Sequence, residues 1–232
     1  MTALLLNCEK SNKNTLQNSA PVSGVVNGQN VTDDQMRANG LANSVVGIVS
    51  EVEGPIDPAT GKKSMMASLC TGTLIAQDIV LTAGHCLTNA VAEKVFVLFQ
   101  TTKMFSGTMA TQAKSFLIKK EYAESQSAKD DLAMIILAKA APATMIPAKI
   151  IPKDFNIEKS FSQSAIGYGQ ADERHNADPT NDGSGTLRWT KMNLLGVPHA
   201  PQVPPPMDGM IFFNSTKTGV CHGNSSVQVL PT

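Results

Sequence analysis

A histidine at the mouth of an apolar run is the first place in this chain where acid–base chemistry could be done. The run is Leu81-Thr82-Ala83-Gly84-His85-Cys86. Imidazole changes charge nearer neutrality than any other unperturbed side chain, so a partly exposed histidine can take and return a proton. Ile79 to Leu81 predicts a strand, and the small residues after it let the backbone turn tightly before His85. Cys70 lies 16 positions before Cys86, just ahead of Thr71-Gly72-Thr73-Leu74-Ile75. A disulfide between Cys70 and Cys86 would fasten two neighbouring strands behind the histidine, a loop closure that stabilises by about 3 kcal/mol. Taken alone, the same residues also read as a structural histidine beside an unrelated cysteine pair.

A carboxylate partner is on offer at Asp130-Asp131, which heads the apolar run Leu132-Ala133-Met134-Ile135-Ile136-Leu137. Next to an imidazole, such a group holds one tautomer and stabilises the imidazolium formed on proton transfer. Alone, an Asp pair at a strand start reads equally as a solvated turn. His85 with Cys86, and His222 with Cys221, also make a Cys/His set. Adjacent strand residues point to opposite faces, however, and the spacing is not that of a zinc finger. No metal site and no cofactor are therefore expected. His175 and His199 sit in polar or proline-rich stretches and are expected to face solvent.

The histidine and aspartate blocks resemble those of the chymotrypsin/trypsin-like serine proteases, peptidase family S1. That family carries a CxGxLI strand and LTAAHC, and here Gly84 replaces the usual alanine. Asp131-Leu132-Ala133-Met134 matches its D-[IL]-A-[LM] pattern, 46 residues after His85 (131 − 85). Phe116-Leu117-Ile118 and Tyr122 echo the strand and aromatic that precede that aspartate. A third block, Gly219-Val220-Cys221-His222-Gly223-Asn224-Ser225-Ser226, is similar to GxCxGDSGGP and places Ser225 94 residues after Asp131 (225 − 131). Val25-Val26-Asn27-Gly28 resembles the IVGG start of the mature enzymes, and Gly167-Tyr168-Gly169 their GWG.

The resemblance implies catalysis by His85, Asp131 and Ser225, in the chain order that sets this family apart from subtilisins and α/β-hydrolases. It makes Ser225 the nucleophile, His85 its base and Asp131 the group that orients the base. The backbone N–H groups of Gly223 and Ser225 would form the oxyanion hole, each donor of that kind contributing about 3 kcal/mol in the transition state. Gly219, six positions before Ser225, falls at the bottom of the first specificity pocket. With no carboxylate there, a small or apolar residue is expected before the cleaved bond, not Lys or Arg. The implied function is serine-type endopeptidase, and the alternative is a non-catalytic homologue that binds peptides or proteins.

Three departures bear on that choice. Asn224 stands where the family has the aspartate that pairs with a newly cut N-terminus, and Val25 follows Ser23-Gly24 rather than Arg or Lys. The usual activation switch is thus expected to be absent or weakened. Ser226-Val227-Gln228 replace Gly-Gly-Pro after the nucleophile. Seven residues follow Ser225, where the family continues through the last strands of a second barrel, so that barrel is expected to be incomplete.

The elements needed to position these residues are strands. The chain has 232 residues, of which 16% are charged, with 17 Gly and 13 Pro. A charge fraction below the ~25% usual in soluble domains, with many turn formers, suits a β protein. Short β-branched runs recur at Val45 to Val49, Leu74-Ile75 with Ile79 to Leu81, Val95 to Phe99, Ser115 to Ile118 and Leu132 to Leu137. Such spacing argues for a sandwich or barrel. Glu53 to Lys63 reads as a hairpin tip, Gln170 to Gly185 as a long loop, and Pro142 to Pro152 as a connector. The expected fold is all-β, with two six-stranded antiparallel Greek-key barrels over about 25–140 and 150–232.

Residues 1–24 are expected to be a flexible leader or propeptide. Leu5-Leu6-Asn7-Cys8 faintly resembles a bacterial lipoprotein site, which would lipidate Cys8; otherwise Cys8 is a stray cysteine in a polar leader. The chain reads as bacterial, and as secreted or placed in the periplasm or cell envelope. A formal net charge of zero without a basic stripe excludes nucleic acid as the expected partner. No apolar run approaches the ~20 residues of a transmembrane helix.

Overall fold

The computed structural model describes residues 24–26, 28–32, 42–100, 102–104, 109–125, 130–150, 163–169, 184–196, 212–214, 219–221 and 230–231. Expectations for Cys8, His175, His199, His222, Gly223, Asn224 and Ser225 fall outside them.

Thirteen strands and one short α-helix are described. They are β1 Gly24–Val26, β2 Gln29–Asn30, β3 Val45–Ile56, β4 Lys63–Ala76, β5 Ile79–Thr82, β6 Val95–Phe99, β7 Met109–Ile118, α1 Lys120–Ser125 and β8 Ala133–Leu137. The second half holds β9 Gln163–Gly167, β10 Arg188–Gly196, β11 Phe212–Asn214, β12 Gly219–Cys221 and β13 Leu230–Pro231.

The first half closes into an antiparallel barrel in the order β3-β4-β5-β8-β7-β6. Closure leaves no unpaired edge. Side chains alternate in and out: along β8, Ala133, Ile135 and Leu137 are buried while Met134 and Ile136 are only partly covered. The interior is filled by Ile48, Leu74, Val80, Val95, Val97 and Ile135, all fully buried. A Cβ at Gly72 would lie 2.6 Å from a Val80 methyl and 2.8 Å from Ile48 Cδ1, so glycine there lets large side chains meet across the barrel. The β3–β4 hairpin is longer than the pattern suggests, and its tip is tied by Asp57, which accepts from Ala59 N (2.9 Å) and Thr60 Oγ1 (2.6 Å).

The second half forms a sheet in the order β11-β10-β9-β13, with β2 also pairing β10, and β1 pairs β12. β1 and β2 thus lie against second-half strands, and the first barrel proper begins at Val45. A second core packs the halves together through Val31, Val45, Leu98, Met104, Tyr168 and Leu187. The backbone N–H of Tyr168 donates to Thr71 Oγ1 across that seam (3.0 Å). The molecule is a chymotrypsin-like β fold: of the two six-stranded barrels expected, the first closes, and among the described residues the second half forms the sheet just given. None of the described helices is long and apolar enough to cross a membrane.

Candidate active site

Antiparallel pairing explains why residues 46 positions apart meet. β5 and β8 are neighbours, with Thr82 opposite Ala133. In an antiparallel pair the end of one strand lies beside the start of the other. The chain leaving β5 therefore emerges next to the chain entering β8, and these short segments carry His85 and Asp131.

His85 sits in a single 3₁₀ turn, Gly84–Cys86, closed by Leu87 N donating to Gly84 O (3.0 Å). Both oxygens of Asp131 serve it. The His85 backbone N–H donates to Oδ1 (2.8 Å), and Nδ1 meets Oδ2 at 2.6 Å. The side chains are 28% and 20% exposed, covered enough to be fixed and open enough to be reached. Asp130 turns away and pairs with Lys119 Nζ. That ion pair pushes the exposed Lys119 ammonium above its usual range, chiefly by hydrogen bonding.

The turn is anchored from behind. Cys70, in β4, and Cys86 form a disulfide with a Cα–Cα distance of 6.2 Å. Cys70, His85 and Cys86 lie close enough for a metal set, but both sulfurs belong to that disulfide and offer no thiolate. Ser50 Oγ, buried in β3, donates to Cys86 O (3.1 Å), and Thr82 Oγ1 donates to Thr71 O (3.1 Å). Thr88 Oγ1 donates to Gly84 O (3.2 Å).

Tyr122, on α1, is buried against this turn, its ring lying on Gly84. Its phenol is held above its usual range, first by burial and then by the Asp131 carboxylate, with a hydrogen bond to Thr88 opposing them. The sequence motifs do not mark Ser50. The signal available was a lone hydroxyl at the end of an apolar strand, Val45-Val46-Gly47-Ile48-Val49-Ser50. Gly84, in place of the family alanine, was the signal for a side chain packed on the turn.

The structure thus brings His85 and Asp131 together and places the Cys70–Cys86 disulfide behind them. Gly219 lies in β12, opposite Val26 of β1. Gly223 and Ser225 lie outside the described residues.

A sequence profile of the family described as Trypsin matches residues 45–225. No protein of curated description matches the chain. Among solved structures, the chain is similar to the scabies mite inactivated protease paralogue S-I1, with a TM-score of 0.59 and 14% identity over 88% of this chain and 82% of that one. It is similar to the scabies mite inactivated protease paralogue S-D1, with a TM-score of 0.56 and 12% identity over 74% of this chain. It spans 64% of that protein's length, just under two thirds. HL collagenase gives a TM-score of 0.56 and 19% identity over 79% of this chain and 69% of that one. At such identities the likeness speaks for the fold, and it gives the expected bacterial origin no support.

Proposed function

The chain belongs to the trypsin family, and we propose that it is a serine endopeptidase acting through His85, Asp131 and Ser225. The observation that carries this reading is the double contact of Asp131 with the backbone and ring of His85. With Nδ1–H donated to Oδ2, the neutral ring keeps a lone pair on Nε2, the form a general base needs.

As the Ser225 oxygen bonds to the scissile carbonyl carbon, its proton passes to Nε2. The Asp131 carboxylate stabilises the imidazolium that results, and the N–H groups of Gly223 and Ser225 receive the oxyanion. The imidazolium then gives its proton to the departing amine as the C–N bond breaks, leaving an ester on Ser225. Water enters by the same steps: His85 takes its proton, the oxygen bonds to the acyl carbon, and the proton returns to Ser225 as the acid leaves. Gly219 offers no charge to a basic side chain, which supports small or apolar residues before the cut. A disulfide beside the site supports a secreted or cell-envelope location, since such bonds persist in oxidising compartments.

A second reading, a peptide- or protein-binding homologue without catalysis, is favoured by Asn224 and by Val227, β-branched where the family has glycine. Two structures of similar fold are themselves named inactivated paralogues. A peptide-library digest separates the readings. Cleavage after small or apolar residues, lost in Ser225→Ala, is the expected result. Peptide binding without hydrolysis would favour the second reading, and cleavage after Lys or Arg would overturn the pocket assignment.

A further inference from the structure

We propose that Tyr122 is a positioning residue for the His85–Asp131 pair, seated by the absence of a side chain at Gly84. A Cβ at Gly84 would fall 2.5 Å from Cδ1, 2.9 Å from Cε1 and 3.1 Å from Cγ of Tyr122. Three consecutive ring atoms therefore lie where a methyl group would stand, and the ring rests directly on the backbone before His85. Thr88, just past the turn, donates its hydroxyl to Gly84 O (3.2 Å). The Tyr122 ring and the Thr88 hydroxyl thus hold the turn at two points.

The residue leading into the same helix holds the neighbours of the other partner. Lys119, just ahead of α1, donates its N–H to Leu132 O (2.8 Å) and its ammonium to Asp130. Tyr122 N in turn donates to Lys119 O (3.0 Å). The segment 119–122 therefore links the Leu132 backbone and the Asp130 carboxylate, on either side of Asp131, to the turn that carries His85. Two hydrogen bonds to one carboxylate require these pieces in fixed register, and Tyr122 supplies the lateral support. The use of that support rests on the proteolytic reading above; the support itself does not.

The test is NMR of the ¹⁵N-labelled full chain without substrate, reading the His85 Nδ1–H proton, which a short bond to a carboxylate shifts far downfield. Gly84→Ala, which drives the ring off the turn, and Tyr122→Leu are expected to lose this resonance through exchange with water. Tyr122→Phe, which keeps the ring, is expected to retain it. Fluorophosphonate labelling of Ser225 is expected to slow by about 10- to 100-fold in the first two, as misplaced catalytic groups do. Persistence of the resonance in both Gly84→Ala and Tyr122→Leu would overturn the proposal. If one of them loses amide dispersion, the other decides. If both unfold, the proposal also falls, because the ring would then hold the barrel and not the pair. A resonance that behaves as expected in a chain that never labels would leave the support standing and remove the proteolytic reading.

Discussion

Asp131 binds His85 twice, and the second bond changes what the first can do. A single ring contact would let the imidazole swing about its backbone. With Oδ1 on the His85 N–H and Oδ2 on Nδ1, the carboxylate fixes main chain and side chain together. The carboxylate is also what sets the tautomer. Asn at 131 can fill the same space, but if its amide N–H faces Nδ1, the ring proton moves to Nε2 and the base is lost. Asp131→Asn should therefore lower kcat on the order of 10⁴-fold while KM and the circular dichroism spectrum change little. Steady-state hydrolysis of the best library peptide checks this, and a loss below tenfold would contradict the role given to Asp131. Both residues were legible because each belongs to a local string, LTAGHC or DLAM. Ser50 and the contact of Tyr122 with Gly84 were not, because each acts on a segment far along the chain and no local pattern names its partner.

Strand pairing converts those local strings into a site. The expected runs Val45 to Val49, Val95 to Phe99 and Leu132 to Leu137 correspond to β3, β6 and β8. β7 extends back to Met109, well before the expected start at Ser115. Its early part alternates exposed Gln112 and Lys114 with buried Thr111 and Ala113, and the inward residues are too small to read as a hydrophobic strand. Helix α1 was not foreseen, since six residues give too little length for a 3.6-residue period to register. The Cys70–Cys86 bridge joins β4 to the histidine turn. Replacing both cysteines by alanine should cost about 3 kcal/mol of stability by the loop-closure argument. Urea unfolding followed by tryptophan fluorescence measures it, and an unchanged midpoint would show that the turn holds without the bridge.

At the scale of the whole molecule, the two halves meet through side chains that no motif contains. Tyr168 was visible as part of Gly167-Tyr168-Gly169, yet its burial against Val45 and Leu98 and its bond to Thr71 depend on the finished barrel. The two halves approach closely there: a Cβ at Gly167 would lie 3.1 Å from Thr71 Oγ1, tighter than an ordinary contact. The pairing of Gly24–Val26 with Gly219–Cys221 joins segments from opposite ends of the sequence. A short apolar pair such as Val25-Val26 does not reveal such a partner. Long-range register of this kind is set by the packing of both halves, which is why the barrel was legible strand by strand and the seam was not.

The proteolytic account stands or falls on whether the Ser225 hydroxyl is activated by His85. Treatment of the full chain with a fluorophosphonate, followed by peptide mass mapping, tests this most directly. One phosphonyl group per chain on Ser225, abolished in His85→Ala, is the result the account predicts. An unlabelled Ser225 in folded protein, or labelling that persists at the same rate without the imidazole, would contradict it.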